Sequence, residues 1–313
     1  MTDQIDGHGD GARPTRAFVI GRDRPGRPIG DQVAEVQRLL ADENATISDV
    51  AVVKRKREIR KLTRKAAKHG CEVIIAVGGD GTVLQVATAL AGTDVALAIV
   101  PTGTGNLLAG NLGIPKAAED AVRTALTGRR RRIDVGRLSV GGKRRAFTVA
   151  CGAGFDADVM ERTDSEEKGR WGRFAYLASA LLEGGNIHNV PHEITLDGVR
   201  STTEAAQVLI ANFGRVPAGL KVRGVRADDG MLDVFIVRAS GPLPALLAGW
   251  EALRTTGEGG TTDGGRVFRA RARKVRVETS PKRRVETDGS VVGRTPFTAS
   301  IRPAALTVMV PRR

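Results

Sequence analysis

Two glycine-rich segments carry the residue types that handle phosphate: Gly78-Gly79-Asp80-Gly81-Thr82 and Pro101-Thr102-Gly103-Thr104-Gly105-Asn106. Without a Cβ, glycine lets backbone N–H groups close around phosphate oxygens, and a helix N-terminus behind such a loop adds a favourable partial charge. Thr82, Thr102 and Thr104 supply hydroxyl donors. Asp80 supplies a carboxylate that could face a metal ion or a transferring phosphate. Neither segment contains the Gly-Lys-Ser/Thr of a Walker loop, and no Gly-x-Gly-x-x-Gly with a following acidic residue marks a dinucleotide site. One such loop is often only a tight turn. Two of them, about 20 residues apart in the same context, point to a phosphorylated ligand held by another loop design.

That context is set by the flanking elements. Glu72–Val77 and Val95–Val100 are short, continuous apolar runs, which suit parallel strands covered on both faces. Val83, Val86, Ala87 and Leu90 repeat at helical spacing behind the first loop. Upstream, Ala17–Ile20 reads as a strand, Val33, Val36, Leu39 and Leu40 as one helix, and Ile59, Leu62, Ala66 and Ala67 as a second, strongly basic one. Strand, loop and helix in alternation predict a doubly wound α/β domain, whose ligands bind at the carboxyl ends of the strands. Beyond about residue 137 short alternating segments dominate: Ala146–Ala150, Glu193–Leu196, Gln207–Ala211, Leu232–Val237 and Lys274–Thr279. They predict an antiparallel second domain, with helices at Phe174–Leu182 and near Leu243–Leu253. The expected division is 14–137 and 138–296.

Composition narrows the function classes. The 313 residues carry 49 Lys+Arg against 35 Asp+Glu, a formal charge of +14. Such a surface attracts anions, whether phosphorylated ligands, nucleic acid or acidic lipid headgroups. Aromatics at 4% argue against a single-strand nucleic-acid binder built on stacking platforms. Cys71 and Cys151 make no metal spacing and read as small core residues in a reducing compartment. Met1–Arg13 has no apolar signal-peptide core, and no stretch approaches the ~18–20 apolar residues of a membrane span. The expectation is a cytoplasmic protein, peripheral to a membrane if it meets one.

Both loops, with the continuation Asn111-Leu112-Gly113-Ile114-Pro115, resemble the diacylglycerol kinase catalytic-domain family, which includes sphingosine kinases and bacterial lipid kinases. Cys151–Ala157, Lys168–Tyr176, Asp228–Val234 and Thr287-Asp288-Gly289 extend the resemblance, in order, over about residues 16–311. It implies an α/β nucleotide-binding domain, a β-sandwich-like second domain, ATP in the cleft between them, and last strands near 297–311 that return to the first domain. The phosphates of ATP would be held by Gly78, Gly79, Asp80, Gly81, Thr82, Val83 and Leu84, and by Thr102, Gly103, Thr104, Gly105 and Asn106. A structural Mg²⁺ would sit on Arg226, Asp229 and Met231, with Arg226 and Met231 contributing only carbonyl oxygens, donors that suit this hard cation.

The chain departs from the family in four places. Gly21-Arg22 stands where the first strand usually ends in Asn-Pro, Leu107-Leu108 follows Asn106 in place of Asp-Phe, and no threonine is identifiable near Val52-Val53. The usual Asp-Gly-Glu is Asp288-Gly289-Ser290, which lacks the glutamate assigned as proton acceptor, so Asp288 or Asp80 would take that part. The resemblance implies MgATP as phosphoryl donor, a diacylglycerol-like or sphingoid lipid as acceptor, and an anionic membrane surface as partner. It implies no nucleic acid, and a homodimer is allowed for. A nucleotide-binding homologue with altered catalysis and a kinase of a soluble substrate, of the NAD kinase kind, stand as alternatives.

Overall fold

Every residue of Val73–Gly78 and of Ala96–Pro101 is buried, as strands sandwiched between helix layers must be. The computed structural model describes residues 16–26, 28–154, 188–215, 222–240, 266–288 and 290–312. It divides into two units, one running to Arg132 and taking in Leu306–Arg313, the other covering Ile133–Ala305.

In the first unit β1 (Ala17–Arg22), α1 (Gly30–Asp42), β2 (Ile47–Val53), α2 (Lys56–Lys68), β3 (Val73–Gly78), α3 (Asp80–Leu90) and β4 (Ala96–Pro101) alternate without interruption. The short α4 (Leu107–Leu112) and α5 (Ala118–Thr127) follow. The strands lie in the order β2-β1-β3-β4, all parallel. Helix α1 buries Val33, Val36 and Leu40, one stripe at helical spacing, and packs on α5, while α2 packs on α3. Strand β2 lies at the sheet edge, and all of it except Val53 is exposed or half-buried. It therefore lacks the continuous apolar run that gives β3 and β4 away, and the periodicity of the sequence misses it.

The second unit is antiparallel. Its strands begin in β5 (Arg129–Val140) and continue through β6 (Lys143–Phe147), β7 (Ala150–Ala153), β8 (Val190–Leu196), β9 (Val199–Ala205), β10 (Gln207–Ala211) and β11 (Leu232–Val237). After these come β12 (Val267–Ala272), β13 (Lys274–Thr279), β14 (Arg284–Thr287), β15 (Ser290–Arg294) and β16 (Phe297–Val310). One sheet has the order β12-β11-β10-β7-β14-β15, and a second layer joins β16, β13, β8 and β9. Phe147, Val208, Ile210, Val234, Val275 and Phe297 meet in its core. Gly136 is opposite Phe147 in register, and a Cβ there would stand 2.1 Å from the ring, so only glycine lets the ring lie flat on the strand. The last residues of β16, from Leu306, belong to the first unit, where Val308 pairs with Leu97 of β4 in parallel.

One reading of the sequence changes here. Ala146–Ala150, expected as one strand, is split between β6 and β7, because a carboxylate captures the backbone between them. The arginine run Arg129–Arg132 is the start of β5, with Arg132 paired to Asp94 at 2.7 Å. The expected helices at Phe174–Leu182 and Leu243–Leu253 lie outside the described residues, as do Phe155–Ala157, Lys168–Tyr176 and Gly289. Among the described residues no helix is long and apolar enough to cross a membrane. Cys71 and Cys151 are both buried free thiols.

Candidate active site

Strand β3 runs straight into α3, with Gly79 as the N-cap, and β4 leads through Thr102–Asn106 into α4. Since β3 and β4 pair in parallel up to Gly78 and Pro101, both loops emerge side by side at one edge. They touch through backbone: a Cβ on Gly103 would stand 2.5 Å from Cα of Gly79, and one on Gly79 3.0 Å from Cα of Gly103. Neither glycine can be replaced without moving the other loop.

Polar side chains lock this contact. Asn106, in the left-handed region at φ 46°, accepts from the Gly103 N–H at 3.0 Å and donates to the Gly103 carbonyl at 2.6 Å. Asp80 reaches across from α3, and its Oδ1 accepts the N–H of Leu107 at 2.6 Å. Its other oxygen lies over Gly105, where a Cβ would be 2.6 Å away. One carboxylate oxygen of Asp80 thus braces the second loop, while the other borders it. The sequence reads Asp80 as chemistry alone and misses this bridging part.

The residues assigned to phosphate divide into two kinds. Thr82 and Val83 are buried and belong to the core, Thr82 tucked under Gly78, so the Thr82 hydroxyl is no open donor. Their N–H groups turn back to the Gly79 carbonyl at 2.9 and 3.2 Å. Leu84 is half-buried further along α3. Thr102, Thr104 and Gly105 are exposed. Among the described residues, the N–H groups of Asp80 and Gly81 make no hydrogen bond, as expected in a first helical turn. Arg24 lies over this turn: a Cβ on Gly81 would be 3.6 Å from its Nη2. Arg22, at the end of β1, has its Nε buried with no hydrogen-bond partner among the described residues. Burial, and then the charge of Arg24, hold its guanidinium below the usual arginine range. Where the family has Asn-Pro, this chain therefore places two cations beside the first loop.

In the second unit, Asp288 is saturated with donors. Its Oδ2 accepts from the Thr148 N–H (2.8 Å) and hydroxyl (3.1 Å), and its Oδ1 from the N–H groups of Val149 (2.9 Å) and Ala150 (3.0 Å). Burial raises its pKa against the opposing pull of these bonds. With four donors on two oxygens, the carboxylate has little capacity left to accept a substrate proton, and its evident work is to anchor the start of β7. These four contacts weigh against the expectation that Asp288 serves as the base. Ser290 is exposed on β15, and Glu286, two residues before Asp288, is a desolvated carboxylate whose pKa is raised by burial.

Asp134 is the polar residue that reading by motif misses. It is 1% exposed within an apolar stretch of β5, and that contrast was the available signal. Its carboxylate accepts the N–H groups of Gly230 and Ala304, each at 2.7 Å, and burial pushes its pKa up. It thereby pins the turn that carries Asp229. Both oxygens of Asp229 are also engaged: Oδ1 accepts the Met231 N–H at 3.1 Å, and Oδ2 pairs with the Arg271 guanidinium. Arg226 is exposed and pairs its side chain with Asp228. A divalent ion on Arg226, Asp229 and Met231 would have to displace the Arg271 guanidinium from Asp229, the one carboxylate in that set. The donor set as built does not fit a resident Mg²⁺.

Comparison with known proteins follows the same division. The model of the diacylglycerol kinase catalytic domain matches residues 16–138, and that of the YegS C-terminal NAD kinase beta sandwich-like domain matches 149–310. A diacylglycerol kinase of Mycobacterium tuberculosis (strain ATCC 25618 / H37Rv) is 32% identical over 266 residues, 82% of either chain. The lipid kinase YegS of Escherichia coli (strain K12) is 30% identical over 219 residues, 68% of this chain and 72% of that protein. Against an uncharacterized Synechocystis protein, sll0036, identity is 28% over 274 residues, and the chain spans 61% of that protein's length. A crystal structure from Bacillus anthracis str. Sterne superposes with a TM-score of 0.79 at 24% identity, covering 96% of this chain and 98% of that one, a likeness of fold. From the paired loops of the first unit, the antiparallel second unit and these matches, the chain belongs to the diacylglycerol kinase family.

Proposed function

We propose that this protein transfers the γ-phosphoryl group of ATP to a hydroxyl of a diacylglycerol-like or sphingoid lipid presented at a membrane surface. The observation that carries the reading is the backbone contact of Gly79 with Gly103, which fuses two strand-to-helix loops into one cradle of the kind phosphate requires. Gly78–Leu84 and Thr102–Asn106 hold the triphosphate mainly through backbone N–H groups, with Arg22 and Arg24 adding positive charge. Mg²⁺ enters this reading with the nucleotide, as its counter-ion. Phosphoryl transfer has a loose transition state, so positioning and charge stabilisation do most of the work. Asp80, with one oxygen not spent on Leu107, is the carboxylate best placed in the cradle to receive the hydroxyl proton. Asp288 acts at one remove, by holding β7.

Incubation with labelled ATP, Mg²⁺ and a panel of diacylglycerols, monoacylglycerols and sphingoid bases, followed by extraction, tests this directly. Labelled phosphate in the lipid phase is the expected result. ATP binding without transfer to any lipid would instead identify a nucleotide-binding homologue. Transfer to NAD⁺ alone would favour a soluble substrate, a reading that the NAD kinase-like description of the matched sandwich model keeps in view.

A further inference from the structure

Helix α2 and its lead-in hold nine Lys and Arg residues between Lys54 and Lys68, every one of them exposed, against a single carboxylate, Glu58. The helix turns Ile59 and Thr63 inward and packs on α3, so its cationic side is fixed in the fold. Its lead-in also has a defined place. Strand β2 ends at Val53, which is in register with Arg22 of β1 and whose carbonyl accepts the Asp23 N–H at 2.9 Å. Lys54–Arg57 therefore leave the parallel sheet at the carboxyl edge, the edge that carries both glycine loops.

We propose that α2 and Lys54–Arg57 form the surface by which the first unit docks on an anionic lipid bilayer. This rests on the lipid kinase reading and deepens it by naming the docking element. Basic residues near an anionic leaflet each contribute favourably, and the attraction decays within a Debye length. The exposed side of α2 has no aromatic or large aliphatic side chain, so the contact is adsorption by charge without insertion, reversible and sensitive to salt. A bilayer fits this face better than single-stranded nucleic acid, because no aromatic residue stands among the cations to stack on bases.

Sedimentation of the full chain with vesicles of phosphatidylcholine, alone or mixed with phosphatidylglycerol, tests the proposal. Wild type should bind only the mixed vesicles and be released by high salt. The triple variant Arg60→Glu/Arg64→Glu/Lys68→Glu keeps good helix formers on exposed positions and should bind roughly a hundredfold more weakly. Lys143→Glu/Arg144→Glu/Arg145→Glu, with the same change in net charge on β6, should bind as wild type does. Equal loss in this control, undiminished binding by the α2 variant, equal binding of wild type to neutral vesicles, or binding to RNA but not to vesicles would each overturn the proposal. Lipid phosphorylation in neutral detergent micelles should be the same in wild type and the α2 variant. Its absence from both would end the kinase reading while leaving the vesicle result to decide the docking surface.

Discussion

Asp80 has two functions that a pair of substitutions can separate. Asn retains an oxygen for the Leu107 N–H but cannot take up a proton as a carboxylate does. Asp80→Asn should therefore lower lipid-dependent turnover by roughly 10²-fold or more with an unchanged melting temperature. Asp80→Ala should lose the same turnover and also about 1 kcal/mol of stability, the typical worth of such a helix-end acceptor. Near-normal turnover in Asp80→Asn would remove the carboxylate from the chemistry and leave it only the brace. Ser290 and Asp288 make a second pair. If proton transfer is slow for want of the family's glutamate, Ser290→Glu should raise turnover, within the ~10²–10⁴-fold range of general acid–base catalysis. Asp288→Asn replaces one acceptor oxygen by a donor among four N–H and O–H groups. It should cost about 1–3 kcal/mol in stability and abolish turnover in either background. Robust wild-type turnover that Ser290→Glu does not improve would show the glutamate to be dispensable in this chain.

At the scale of elements, the cradle depends on two loops approaching more closely than any side chain allows. Gly103→Ala places a Cβ 2.5 Å from the Gly79 backbone and 2.9 Å from Oδ1 of Asn106. The second loop must swing away, and ATP affinity should fall at least roughly tenfold, since the backbone donors no longer converge. Strands β3 and β4 remain buried and paired, so the circular dichroism spectrum should not change. Unaltered ATP affinity in calorimetry would mean that the loops bind no phosphate. The turn before β11 is a second such element, held by Asp134 from one side and by the Arg271–Asp229 pair from another. With that guanidinium as its cation, the melting temperature of wild type should not respond to Mg²⁺ or to EDTA. Arg271→Met removes the pair, should lower the melting temperature, and should create a stabilising response to Mg²⁺ by binding linkage. A wild type that melts several degrees lower in EDTA would restore the metal to Arg226, Asp229 and Met231.

For the molecule as a whole, buried carboxylates set how stability varies with pH. Burial raises the pKa values of Asp134, Asp233, Glu286 and Asp288 alike. A carboxyl whose folded pKa is raised favours folding below its unfolded pKa, near 4 to 4.5, and that contribution is lost as pH rises through the folded value. Glu286 is the clearest probe, because burial is the largest cause of its shift, opposed only in part by the charge of Arg284. Glu286→Gln should melt higher than wild type at neutral pH, and the two should converge below about pH 4. A constant difference across that range would assign the effect to packing.

Fold class, the two loops and the family were legible in residue order, because short-range rules govern them. A buried parallel strand needs a continuous apolar run, a phosphate loop needs glycine next to a helix start, and both signals lie within a few adjacent residues. What the sequence left undecided depends on partners far away along the chain. Asp288 reads as chemistry until Thr148, Val149 and Ala150, some 140 residues earlier, are seen to fill it. Asp229 reads as a metal ligand until Arg271, 42 residues on, is found against it. Asp134 reads as nothing until Gly230 and Ala304 converge on it. A carboxylate's role is set by which donors surround it, and in a sheet those donors come from neighbouring strands. Local pattern therefore determined where phosphate chemistry could occur, and only the tertiary structure decided which acids were still available to perform it.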